Sequence, residues 1–297
     1  MRSLKTRYWI WLSLGGLALL VVGVIYLFLY RQSVDYGIQR AVYQSGMSYL
    51  VVEALDDDLL HLEFTGGGSP PSVDQPIPTT PMVFKTDFPG PSRFAAHGND
   101  SLETRDLRIE VDRSSLCLVV TDLTRQPDLV LSRTCPASAF LTGPKTLNIS
   151  QEGFRYVYGL GEQFITPETG SLNWVGKRRT PGNSQGNAMG NFFGGYVGNA
   201  QFPVLYALSE QGDNYALFVD SPYAQRWDFT EDPWVMQTQG KAIRWYVLSG
   251  PDLPDLRQDY MELVGRPPVP PRKMFGLWVS EYGFDNWEEL DDKLRTL

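Results

Sequence analysis

This chain of 297 residues has only two histidines and two cysteines to offer for zinc chemistry. The two histidines, His61 and His97, lie far apart, and Cys117 and Cys135 are near neither, so the usual Cys/His zinc spacing cannot be assembled. The cysteines have another chemistry open to them, a disulfide, if their part of the chain is exported. They flank an expected hairpin with strands over residues 116–121 and 129–133, two residues out of direct register, so a bridge requires a bulge or a crossing connection. Acids outnumber bases, 34 Asp and Glu against 26 Lys and Arg, for a net charge of −8. That balance argues against nucleic acid as a partner, because no basic surplus exists to displace phosphate counterions. The acid clusters have structural patterns: Asp56-Asp57-Asp58 suits the solvated tip of a hairpin. Glu288, Glu289, Asp291 and Asp292 suit the solvated face of a helix rather than a catalytic pair. Nothing in the chain calls for a metal, nucleotide or other cofactor.

The elements that must carry these residues come in three textures. From Tyr8 to Tyr30 the chain is apolar, with Ser13 its one strongly polar member. At 1.5 Å per residue that run covers about 34 Å, enough for a hydrocarbon core of roughly 30 Å. Tyr8, Trp9 and Trp11 at one end and Tyr26 and Tyr30 at the other resemble interfacial belts. Arg2, Lys5 and Arg7 precede the run and no small-residue cleavage site follows it. The expectation is a cytoplasmic tail at 1–7, an uncleaved signal anchor at 8–30, and an exported globular part.

From residue 31 to 264 short apolar runs recur between Gly, Pro, Asp and Asn. They lie at 49–55, 59–64, 107–111, 116–121, 129–131, 154–158, 204–208, 215–219 and 243–248. Leu107, Ile109 and Val111 alternate with Arg108 and Glu110, as in a half-buried strand. Many short strands predict a mainly β fold, an antiparallel sandwich. Residues 66–81 form a Gly/Pro/Ser/Thr loop of mobile composition. A helix is expected over 254–264, with Leu256, Tyr260, Leu263 and Val264 on one side. The prolines of 265–271 forbid helix or central strand and mark a linker.

The third texture, at 272–297, is an apolar run over 274–280, expected as a strand covered on both faces, then a helix. Asp285 with Glu288, or Asn286 with Glu289, offers the helix a capping pair. Trp287, Leu290, Leu294 and Leu297 share one of its faces. One βα unit cannot bury its own apolar side, so it either packs on the sandwich or begins something longer.

Three segments resemble glycoside hydrolase family 31, the α-glucosidase and α-xylosidase group. Tyr158-Gly159-Leu160-Gly161-Glu162 is similar to the family's YGLGE segment, and Ala216-Leu217-Phe218-Val219-Asp220-Ser221 to a strand ending in FVDN. Gly265-Arg266-Pro267 through Pro271, with Phe275-Gly276-Leu277-Trp278 and Tyr282-Gly283-Phe284, is similar to the family's linker and first barrel strand. The resemblance implies a galactose-mutarotase-like β-sandwich followed by the first βα unit of an incomplete (β/α)8 barrel. It also implies a retaining α-glycosidase acting through two aspartates, one within a W-x-D-M-N-E string; no such string occurs in these 297 residues. The expectation is therefore the N-terminal part of a membrane-anchored glycosidase whose catalytic aspartates lie outside this chain, which alone is inactive.

Residue by residue, the resemblance puts Tyr282 at a sugar subsite, at the end of the first barrel strand. The residue before it, often Arg in the family, is Glu281 here. A sandwich loop over the barrel mouth, often bearing an Asp in the family, corresponds to 174–200, which has neither Asp nor Glu. There Asn183, Asn187 and Asn191 offer hydrogen bonds to sugar hydroxyls, and Phe192, Phe193 or Tyr196 a stacking face. Glu162 is expected to be structural. The alternative, of another class, is a membrane-anchored non-catalytic carbohydrate-binding module.

Overall fold

The computed structural model describes residues 21, 32–138, 143–161, 171–179, 202–276 and 285–296. These fall into two compact units that divide between Gly265 and Arg266. The predicted anchor, apart from Val21, lies outside them. Among the described residues no helix is long and apolar enough to cross a membrane.

The first unit is built from two antiparallel sheets. One has eight strands in the order β1 (Gln32–Tyr36), β2 (Arg40–Ser45), β3 (Ser48–Ala54), β4 (Leu59–Thr65), β17 (Ala242–Ser249), β14 (Asn214–Val219), β13 (Val204–Ser209) and β11 (Phe154–Gly159). The other has nine, in the order β12 (Arg178–Arg179), β15 (Gln225–Asp228), β16 (Trp234–Thr238), β10 (Lys145–Ser150), β9 (Leu129–Ser138), β8 (Leu118–Asp122), β7 (Leu107–Val111), β6 (Ser101–Glu103) and β5 (Ala95–His97). Their facing sides supply one core, in which Leu62, Trp245 and Leu217 from the first sheet join Ile109, Leu147 and Trp234 from the second. This is the two-layer solution that alternating short strands favour.

The eight-stranded sheet is covered on its other face as well. Helix α1 (Leu253–Val264) starts at Asp252, whose carboxylate accepts from the Asp255 N–H at 3.0 Å, and buries Leu256, Tyr260 and Leu263. That side packs with Leu248, Phe218 and Tyr246. Residues 66–94, of which 66–81 are expected from composition to be loose, lie over the rest: Ile77 is buried with Val42 and Val51. Thr80 donates through both its N–H and its hydroxyl to Asp220, and the N–H groups of Phe84 and Lys85 reach Leu263 O at 2.7 and 3.1 Å. Apolar anchors and Asp220 hold what Gly/Pro composition alone would leave free.

Three sequence expectations need correction. Asp57 is buried rather than solvated at a hairpin tip. It accepts from the Ser92 N–H at 3.0 Å, the Ser92 hydroxyl at 2.7 Å and the Arg105 N–H at 3.3 Å, so it ties three loops together. The strand at 116–121 begins only at Leu118, because Leu116 takes φ 59° in a turn closed by its N–H on Asp112 O at 2.7 Å. In the second unit Met274 and Phe275 belong to a 3-10 turn, Arg272–Phe275, rather than to a strand. Pro271, extended at φ −54° and ψ 144°, caps that turn, its carbonyl accepting from the Met274 N–H at 2.8 Å. Residues 277–284, the remainder of that expected strand and its end, lie outside the described residues. Helix α2 (Trp287–Thr296) follows, with Asn286 Oδ1 accepting from the Glu289 N–H at 2.9 Å and Glu289 accepting from the Asp285 N–H at 3.0 Å.

Candidate functional site

Asn183, Asn187 and Phe193, with Tyr282 and Glu162, lie outside the described residues. The positions flanking 180–201 are described, and both line one cavity of about 240 Å3 in the first unit. Arg179 is on one side of the gap and Phe202 on the other. Leu160, Ser221, Tyr223 and Trp227 complete its main walls. Two of the segments singled out in the sequence thus converge, the first through Leu160 and the second through Ser221.

The Leu160 wall is held in a conformation the backbone would not choose. Leu160 sits at φ 60° between Gly159 at φ 100° and Gly161 at φ 95°. A side chain at Gly159 would place a Cβ 2.4 Å from Val204 O, so only glycine fits this close approach of β11 to β13. Several bonds fix the turn: the Leu160 N–H donates to Val204 O at 2.7 Å, Arg179 Nε to Leu160 O at 3.0 Å, and Trp174 Nε1 to Gly159 O at 3.0 Å. The Arg179 guanidinium lies 5.9 Å from the centre of the Trp174 ring, within cation–π range.

On the opposite wall the chain leaves β14 through Asp220 and Ser221. Asp220 is consumed by Thr80 and is structural. Ser221 accepts from the Tyr223 N–H at 3.2 Å and lies 3.3 Å from the Thr238 hydroxyl. Gly240, at φ 122°, makes room for the Tyr223 ring, since a Cβ there would stand 3.1 Å from it. Gln225 joins the wall to its neighbours, donating to Val219 O at 3.4 Å and accepting from Trp227 Nε1 at 3.2 Å. Phe202 and Tyr223 keep 55% and 53% of their surface exposed, enough for their rings to meet a ligand.

Among the described residues, no carboxylate lines the cavity. Its chemistry is ring stacking and hydrogen bonding, suited to holding a hydroxylated ring rather than transferring a proton to it. Sequence reasoning missed Arg179, Phe202 and Tyr223. The usable signal was the Gly-Leu-Gly turn, whose left-handed positions require a partner strand close by.

Elsewhere, Cys117 and Cys135 form a disulfide with Cα atoms 4.1 Å apart. Leu118 pairs with Thr134, so the cysteines follow as the next facing pair, and the offset is absorbed by a bulge between Val120 and Thr121. His97 Nε2 lies 3.2 Å from Glu103 at an exposed edge. Among the described residues no group of three or more His, Cys, Asp or Glu is placed to hold a metal ion.

No family model matches the chain. Its sequence is 28% identical over 143 residues to alpha-glucosidase 2 of Bacillus thermoamyloliquefaciens, a match covering 48% of this chain and 17% of that protein. Its fold superposes on an alpha-xylosidase of glycoside hydrolase family 31 from a soil metagenome, complexed with xylose. That match has a TM-score of 0.65 at 14% identity and covers 89% of this chain and 40% of that one. A family-31 dextranase of Flavobacterium johnsoniae, complexed with isomaltotriose, matches with a TM-score of 0.59 at 18% identity, over 84% of this chain and 29% of that one. The chain thus spans well under half the length of each. In sequence and in fold, this chain is similar to the N-terminal portion of family-31 glycoside hydrolases.

Proposed function

We propose that this chain is the N-terminal part of a retaining α-glycosidase that hydrolyses O-glycosyl bonds, tethered to a membrane through residues 8–30 with its globular part exported. The observation that carries the reading is the convergence of two family-like segments, through Leu160 and Ser221, on one cavity with no carboxylate among its described lining residues, whose walls also include both flanks of 180–201. On this reading the sandwich supplies stacking and hydrogen-bonding surface beside the substrate, and Asn183, Asn187, Phe193 and Tyr282 add to it. The two aspartates, one forming the glycosyl-enzyme ester and the other moving the proton, come from barrel sequence outside these 297 residues. Retention requires those carboxyls about 5–5.5 Å apart across the glycosidic bond. Export is supported by the Cys117–Cys135 disulfide, which persists in oxidising compartments.

The test is turnover of aryl α-glucosides and α-xylosides by the purified chain. No hydrolysis is expected; turnover that survives repurification would refute the claim that the catalytic part lies elsewhere. The second reading, a binding module with no enzymatic role, is favoured by the exposed rings of Phe202 and Tyr223. Titration with α-glucan fragments, followed by Trp fluorescence, separates the two. Tight saturable binding by this chain alone supports the module, and weak or absent binding supports the enzyme part.

A further inference from the structure

The two sheets of the first unit end together along one rim, and three contacts join them there. The Ser45 hydroxyl, at the end of β2, donates to Ser114 O in the β7–β8 turn at 2.9 Å. Gly66, just past β4, abuts Ser138 at the end of β9 so closely that a Cβ would have no room. Ser221, just past β14, lies 3.3 Å from Thr238 at the end of β16. Gln32, the first residue of β1, pairs with Ser45, so the sandwich begins at this rim. The cavity walled by Ser221, Tyr223 and Phe202 stands on the same rim. From β1 to β14 is five strand spacings, roughly 24 Å at about 4.8 Å each.

Charge divides this rim from the one at the other ends of the strands. Among the described residues its turns at 46–47, 98–100, 112–117 and 239–241 carry Asp100 and Asp112 against Arg113 and Lys241, and so are neutral together. The opposite turns at 55–58, 210–213 and 229–233 carry Asp56, Asp57, Asp58, Glu210, Asp213, Glu231 and Asp232 with no base. The remaining turns of that rim, at 104–106, 123–128, 151–153 and 250–252, are each neutral or acidic. The acid surplus of the sandwich is therefore concentrated away from the end at which it begins.

The apolar run read as the anchor ends at Tyr30, leaving Arg31 alone before β1. On that reading Tyr30 stands at interface depth, and Gln32 is two residues away, at most about 7 Å of extended chain. So short a tether fixes the height of the rim at Gln32 but leaves the tilt of the sandwich open. Electrostatics selects the tilt. Anionic head groups repel the acid-filled rim, whereas the neutral rim, with Met47 and Lys241 exposed, meets no such repulsion. We propose that this neutral rim, from Gln32 to the Phe202–Tyr223 cavity, is a membrane-contact surface, seated on the leaflet from which the anchor emerges. The cavity then works beside the bilayer instead of out in solution. The proposal rests on the membrane tether of the reading above and is independent of the glycosidase chemistry.

Both native cysteines are held in the disulfide, so a single added cysteine can carry a spin label. Four exposed positions serve: Met47→Cys and Lys241→Cys on the proposed contact rim, Glu210→Cys and Glu231→Cys on the opposite one. Each labelled 297-residue chain is reconstituted in vesicles of phosphatidylcholine and phosphatidylglycerol that contain a nickel-chelating lipid, whose nickel relaxes labels close to the surface. Several-fold faster relaxation is expected at 47 and 241, with 210 and 231 unchanged. Equal relaxation at the two rims, strong or absent, or faster relaxation at 210 and 231, overturns the proposal while the tether stands. A chain that fails to float with the vesicles overturns the tether and the proposal together.

Discussion

The two sheets of the first unit solve one problem in opposite ways. In the nine-stranded sheet, strands such as β7, β10 and β16 alternate between buried and less buried positions, with one side turned to solvent. In the eight-stranded sheet β4 and β14 are buried at every position, because α1 and residues 66–94 close over the side that would otherwise be wet. A covered face can keep charged residues only by pairing them. That face carries Arg40 with Glu53, Glu53 with His61, and Arg244 Nε with Glu63 at 2.5 Å. On the open sheet a pair such as Arg133–Glu152, at 2.9 Å, has water as an alternative partner. Burial, more than the number of ion pairs, decides which of them matter.

The largest effect should come from breaking an ion pair on the covered face. Arg40→Ala leaves Glu53, with only 3% of its side chain exposed, without its guanidinium partner and should cost about 3–5 kcal/mol in urea unfolding. Arg133→Ala, on the open sheet, should cost about 0–1 kcal/mol by the same measurement. Equal losses for the two would sink the comparison.

A smaller effect concerns the acids where α1 meets the β3–β4 turn. Burial, then Asp58, Asp255 and Glu262, push Asp259 up to about 7, and burial with Asp56 pushes Asp58 to about 6. These folded values lie above the unfolded one. Their contribution to stability is therefore complete below about pH 4 and is lost as pH rises through 6 to 7. Thermal melts should fall by a few degrees between pH 5 and pH 8. Asp259→Asn should flatten that fall, and an unchanged slope would remove Asp259 as its source.

Much of the open sheet was legible, since Leu107, Ile109 and Val111 announce their strand by alternation alone. β10 was not, because Lys145–Ser150 offers only Leu147 and Ile149 as apolar markers. β15 and β16 depend on Trp227, Trp234 and Met236 between polar residues, a pattern too sparse to separate from loop. On the covered sheet the runs at 204–208, 215–219 and 243–248 were legible as strands. Which faces they buried was not, because covering by α1 and residues 66–94 is a tertiary event. The Glu53–His61 pair could have been counted out: a hairpin centred on Asp57 places those two residues opposite each other. The wall residues Arg179, Phe202 and Tyr223 come from separate strands and loops, and only closure of the sandwich brings them together.

Whether this chain lends binding surface to carboxylates encoded elsewhere can be read from covalent labelling. The gene's native product would be treated with a 5-fluoro-α-glycosyl fluoride, which traps the ester of a retaining enzyme, and the modified peptide located by mass spectrometry. A single labelled aspartate, in sequence beyond Leu297, is expected. A label on any residue from 1 to 297, or a native product that ends at Leu297 and still turns over substrate, would contradict it.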